Sequence, residues 1–348
     1  MFNRQGAAAR YAPREVQCAK DTKESEDPMI SIGRIVLGVF LGITSISANA
    51  QGFPARPLKI MVGYAPGGGM DVLARIVTPK LTESLGQQVL VENRVGASGA
   101  VAADALTKSP ADGYTIFMAE SGTLVVPAIN PSIGYDPVKS FAPISAVCSL
   151  PLAFVVNPAF PVKNMQELVA LFKASPGKYS FATPGVAGIN HLSFELFMRT
   201  AGVSAVHVPY KGASAMMPDI ISGQVPVGVS SAAGAAGQVR AGKIRVIGIT
   251  SLQRTSSAPD WPTVAETLPG FDASPRVFAV APAGTPPTVI ARWNEAFRFA
   301  LGSKDVQDAY DKQGAVATPG TPEALAAQIA AETKRWATVV QEAKIKAE

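Results

Sequence analysis

Leu58-Lys59-Ile60-Met61-Val62-Gly63-Tyr64-Ala65-Pro66-Gly67-Gly68-Gly69-Met70-Asp71 decides the fold: an apolar run that reads as a strand over 58–64, a glycine-rich turn, and a helix-length segment over 71–85. Three successive glycines let another group approach the backbone closely, and free N–H groups at a helix start attract anions. The turn lacks the Lys-Ser/Thr ending of a phosphate loop and the G-x-G-x-x-G spacing, so nucleotide binding is disfavoured. Two readings stay open on local physics: an anion site, or a plain strand-to-helix turn with Asp71 as its cap.

Outward from this unit the same rhythm repeats. Strands are expected at 88–92, 114–119, 153–157, 179–182, 205–208, 225–230, 243–250 and 277–281, and helices at 97–108, 164–174, 188–201 and 214–222. That alternation is the βαβ pattern of a mostly parallel sheet flanked by helices. After residue 281 the chain reads as helical, with Thr285-Pro286 and Thr321-Pro322 as starts and Gly302 and Gly314 as stops. Two Pro-rich stretches, 136–161 and 259–287, have linker character. If the chain crosses between lobes at both, residues 52–150 plus 275–348 make one discontinuous lobe and 151–274 the other, with a cleft between them.

A second glycine-rich strand-to-helix turn, Ala182-Thr183-Pro184-Gly185-Val186-Ala187-Gly188-Ile189-Asn190-His191, lies in the second lobe, and the two turns are placed to face each other. A third candidate is Ala119-Glu120-Ser121-Gly122-Thr123-Leu124, whose hydroxyls are suited to donate to an oxyanion. His191 reads more simply as a helix-start residue satisfying a neighbouring carbonyl than as a site residue.

Composition excludes several classes. With 47% apolar residues over 348 positions the chain is long enough for proper cores. Two cysteines, Cys18 and Cys148, build neither a disulfide framework nor a multi-cysteine zinc site, and His191 and His207 lack metal-binding spacing, so no metal or cofactor is expected. No G-x-S-x-G elbow or paired carboxylates point to catalysis. The apolar run 35–46, preceded by Arg34 and followed by Ala48-Asn49-Ala50, reads as a signal peptide over 29–50 cut after Ala50, with Met29 as the start and residues 1–28 as an upstream extension. Twelve apolar residues are too few to span a bilayer. Removing residues 1–50 takes six basic and five acidic residues, leaving 25 against 21, a charge of +4 with no basic run. Nucleic acid is therefore not an expected partner, and Cys148, the sole mature cysteine, is expected to be a buried small apolar residue.

Several motifs then occur in one order: Phe53-Pro54-x-Arg56-Pro57-Leu58-Lys59-Ile60, Tyr64-Ala65-Pro66-Gly67-Gly68-Gly69-x-Asp71, Val91-Glu92-Asn93-Arg94-x-Gly96-Ala97, Asp112-Gly113-Tyr114-Thr115, Tyr135-Asp136-Pro137, His207-Val208-Pro209-Tyr210-Lys211-Gly212 and Ala281-Pro282-Ala283-Gly284-Thr285-Pro286, with Trp336 near the end. The sequence resembles the solute-binding proteins of tripartite tricarboxylate transporters, the TctC-like or Bug family, across residues 53–348. The resemblance implies a two-lobed, type II periplasmic-binding-protein-like α/β fold, monomeric and periplasmic. Such a receptor closes on a small organic acid and delivers it to the membrane permease subunits of a tripartite transporter. Carried over by position, it points to Tyr64, Ala65, Gly67, Gly68, Gly69 and Asp71 from one lobe and Thr183, Gly185 and Gly188 from the other, with Ser121 and Thr123 at the rim.

Departures from the family pattern bear on specificity. Gly188 stands where a Ser is usual, and Val225-Pro226-Val227-Gly228-Val229-Ser230-Ser231 lacks two usual acids, so an amine-bearing ligand loses an evident counter-charge. Arg276 replaces an aromatic residue on the returning crossover and is a candidate for reading a distal carboxylate, against the simpler reading of a solvated surface arginine. Rivals from other classes are an exported enzyme acting on a carboxylated substrate and a ligand-sensing lobe that signals to a membrane sensor.

Overall fold

β1 (Leu58–Val62) buries four of its five side chains and leaves only Lys59 partly open, as a strand covered on both faces must. It pairs in parallel with β2 (Val89–Asn93) on one side and β3 (Thr115–Glu120) on the other. The connecting helix α1 (Gly69–Leu85) stops at Gly86, whose left-handed φ of 68° lets its N–H return to the Thr82 carbonyl. The computed structural model describes residues 52–345; the expected signal peptide and upstream extension, with Cys18, lie outside the described residues.

The remaining strands are β4 (Phe141–Ser149), β5 (Leu152–Val156), β6 (Ser180–Thr183), β7 (Val206–Pro209), β8 (Val227–Ser231), β9 (Arg245–Ile249), β10 (Arg276–Pro282) and β11 (Val316–Ala317). The remaining helices are α2 (Ala100–Thr107), α3 (Gly122–Ile129), α4 (Met165–Ala174), α5 (Ile189–Ala201), α6 (Ala213–Ser222), α7 (Ala232–Arg240), α8 (Pro287–Gly302), α9 (Lys304–Lys312) and α10 (Pro322–Glu342). Two sheets result, in the orders β11-β4-β10-β3-β1-β2 and β7-β6-β8-β5-β9.

The expectation of mostly parallel sheets needs correction, because among the described strands four pairings are parallel and five antiparallel. The parallel pairs are those built by βα crossovers. The antiparallel ones involve β4, β5 and β10, the strands by which the chain leaves one sheet and returns to it, and such strands meet their neighbours from the opposite end. β4 itself falls in the stretch read as a linker, with Pro143 beside a register irregularity opposite Ala279 and Val280.

One core places Leu73, Val77 and Leu81 of α1 with Trp293 and Phe297 of α8 and with Cys148, whose thiol is pushed up by burial. The second sheet packs Phe154 and Phe181 against Phe194 and Phe197 of α5. α10 serves both sheets: Leu325 and Ile329 pack with Phe117 and Phe278, whereas Trp336, Val339 and Val340 pack with the phenylalanines of the second sheet. The two crossings between sheets lie side by side, since Thr250 Oγ1 accepts the Leu152 N–H at 2.9 Å and sits 3.0 Å from Ser274 Oγ.

Candidate functional site

The two glycine-rich turns share one construction. Gly68 and Gly188 are the residues that start α1 and α5, with φ/ψ of −72°/163° and −72°/162°, and neither helix start is capped by a side chain. The residue before each is left-handed, Gly67 at φ 76° and Ala187 at φ 58°. In each turn the third helical residue folds back and accepts that residue's N–H, Asp71 Oδ2 from Gly67 at 2.9 Å and His191 Nδ1 from Ala187 at 3.1 Å. No side chain caps the first-turn N–H groups of α1 and α5, so both helix starts remain anion-attracting ends.

This geometry defines the expected site residues more sharply. Asp71 is buried, and its carboxyl also accepts from Arg75 Nε at 2.8 Å and Asn93 Nδ2 at 2.9 Å, so it holds the turn and does not present itself to a ligand. The Arg75 hydrogen bond holds its carboxyl down at about 2. His191 is a helix-start residue, but it satisfies an N–H and not a carbonyl, while its Nε2 lies 3.3 Å from Glu195. Thr183 is buried and donates to the Gly185 carbonyl at 2.8 Å while sitting 2.6 Å from His207 Nε2, so its hydroxyl shapes the second turn. Burial, with a smaller contribution from His191 beside it, lowers His207 to about 4.

Backbone strain gathers at one cavity. Among the described residues four non-glycine positions have positive φ, and three of them, Ala97 (45°), Ser98 (50°) and Ala187 (58°), line one cavity of ≈ 300 Å³. Each costs about 1–3 kcal/mol, and such outliers cluster at ligand sites. The cavity lies between the second turn (Val186, Ala187, Gly188, Ile189) and a wall made by Ala97 and Ser98 of the turn before α2, Glu120 at the end of β3, and α3 (Gly122, Val125, Val126, Ile129). Ala65, Gly67 and Gly69 of the first turn are exposed and do not line it, and Gly68 is half-buried outside it. Tyr64 packs behind the wall, near Gly99, and its hydroxyl faces Glu120.

Ser121 and Thr123 are fully buried and do not form a rim. Ser121 Oγ accepts the Arg276 N–H at 2.8 Å and lies 3.3 Å from Glu332, which ties β3 to the crossover. Thr123 Oγ1 is buried without a partner. Arg276 does not reach the cavity: its guanidinium pairs with Asp272, approaches Glu332 at 3.8 Å, and lines a separate space of ≈ 400 Å³ with Gln328 and Arg335. Two acids therefore occupy the group that sequence suggested for a distal carboxylate.

Sequence reasoning missed Ser98 and Glu120 as wall residues. Ser98 sat inside a segment read as helix, although the chain there makes a short turn through left-handed conformations before α2. The close approach that glycine permits is also elsewhere than expected, because a Cβ on Gly63 would lie 2.4 Å from Gly99 Cα. Gly63→Ala is expected to push the 97–99 turn aside and cost about 1–3 kcal/mol in urea unfolding, the range for overpacking. Gly69→Ala, with open space at its Cβ, is the control and should stay near the parent.

Two lobes, each a mixed sheet with helices, joined by adjacent crossings and enclosing a cavity at a helix N-terminus, are the architecture of a type II solute-binding receptor. The chain belongs to the tripartite tricarboxylate transporter family receptors, whose family model matches residues 73–345. Protein BugT of Bordetella pertussis is 37% identical over 318 residues, 89% of this chain and 98% of BugT. The solved periplasmic binding protein BugD is 29% identical, with a TM-score of 0.66 over 85% of this chain and 100% of that one. A structure of Rpa4515 from R. palustris with adipate is 30% identical, with a TM-score of 0.69 over 84% and 99% of the two chains.

Proposed function

We propose that this protein is a periplasmic receptor that captures a small organic acid by closure of its lobes and hands it to the permease subunits of a tripartite transporter. The observation that carries the reading is the cavity of ≈ 300 Å³ onto which the uncapped start of α5 opens. A carboxylate there gains the free N–H groups and the helix dipole without needing a cationic side chain. The adipate bound by Rpa4515 supports an acid as ligand, and the family supports a transport role over catalysis.

The moving bodies are residues 52–150 with 275–348 and residues 151–274, with the paired crossings at Thr250 and Ser274 as hinge. Closure brings the exposed first turn, with its own uncapped helix start, onto the ligand. A thermal-shift screen of mono-, di- and tricarboxylates, aromatic acids and amino acids tests the reading. A ligand at a hundred times its Kd should add about 2.7 kcal/mol of stability and come back chemically unchanged. Small-angle scattering with that ligand should give a smaller radius of gyration. Stabilisation by no acid would overturn the reading, and an unchanged radius at saturation would overturn closure.

A further inference from the structure

Glu120 is the one ionisable side chain lining the cavity, and among the described residues it forms no ion pair. Asp71, Asp272 and Glu332, the other buried or partly buried carboxylates discussed above, each have an arginine at hand. Glu120 has only neutral neighbours: Oε1 accepts the Gly122 N–H at 2.8 Å, and the Tyr64 hydroxyl faces the same group. Enclosure without a cation pushes its carboxyl above the usual range, and its charge in turn adds to the upward push that burial gives Tyr64. A partly buried carboxylate with no cation beside it carries part of its desolvation cost, and a cation arriving with the ligand offsets it.

The rest of the cavity fits a ligand with one more charged end. Val125, Val126, Ile129 and Val186 give the cavity an apolar lining, and Gly188 and Ile189 bring the uncapped start of α5 to it. We propose that Glu120 determines specificity by pairing its carboxylate with a protonated nitrogen of the ligand, so that the site takes a zwitterionic acid with its own carboxylate at the start of α5. This rests on the organic-acid reading above.

Isothermal titration of matched pairs, ω-amino acids of three to six carbons against the corresponding acids without the amine, tests it at pH 7. The amino member should bind at least tenfold more tightly. Glu120→Gln, which keeps the acceptor for Gly122 N–H, should lose the tenfold preference while still binding the plain acids. Equal or tighter binding of the plain acids by the parent, or an unchanged preference in E120Q, overturns the inference, since Glu120 would then act as a neutral donor or not at all. That result leaves the organic-acid receptor standing. Failure of every member of the pairs to bind overturns the inference as well, and only failure of the wider acid screen overturns the receptor reading.

Discussion

Phe181→Ala is expected to lower folding stability by about 3–5 kcal/mol in urea unfolding, the usual cost of deleting a fully buried phenylalanine. Phe181 is 0% exposed and lies beneath the second turn, with its ring 3.7 Å from Phe194 and 4.9 Å from His207 by centroid. His207 in turn stacks at 3.7 Å on His191, which holds the Ala187 N–H at the cavity wall. The substitution therefore reaches the turn through the ring stack, and acid-ligand binding should weaken together with stability.

The same variant should change the pH dependence. His207 titrates at about 4 in the folded chain against 6.5 for an unperturbed histidine, mainly because it is desolvated. The unfolded chain therefore binds the extra proton first as pH falls. This contribution to stability is complete above about 6.5 and is lost progressively toward about 4. Opening a space beside His207 admits water, raises its pKa and flattens that slope. An F181A protein with the parent's slope between those values would show that Phe181 does not maintain the desolvation.

How much of this was legible in the sequence depended on whether a signal is local. The β1-turn-α1 unit was legible because its apolar run, glycines and helix stop are contiguous and self-consistent. β4 was not, because Phe141-Ala142-Pro143-Ile144-Ser145 mixes a proline and a serine into a strand that is completed by pairing with the distant β10. α3 carries Pro127 and two adjacent valines, poor helix formers, and is held by packing against α10. The left-handed turn at Ala97 and Ser98 has no compositional marker, since those residue types take that conformation only when surrounding contacts impose it. Arg276 shows the same limit in electrostatics: Asp272 is near in sequence, but Glu332 reaches it from a helix more than fifty residues away. A vacant guanidinium on paper was already paired in space.

Asp71→Ala is the second large effect, expected at about 2–4 kcal/mol, because it strands several donors at once. The carboxyl serves the Gly67 N–H, the Arg75 guanidinium and the Asn93 amide from a side chain 3% exposed. Leaving a buried donor unsatisfied costs about 1–3 kcal/mol; Arg75, half-exposed, recovers most of its loss from water, whereas the Asn93 amide is part-buried. The charge part of the effect can be separated by acid. The folded carboxyl titrates at about 2 against 3.8 unperturbed, so its ionised form contributes fully above about 4 and less as pH falls toward 2. The stability gap between parent and D71A in urea should accordingly narrow from pH 7 to pH 3, and Asp71→Asn, which keeps one acceptor, should fall between them at pH 7. A gap independent of pH would assign the loss to packing and deny the carboxylate its role in fixing Gly67. If the role holds, the φ of 76° at Gly67 relaxes in D71A, the start of α1 turns away from the cleft, and ligand affinity drops even under conditions where the variant remains fully folded.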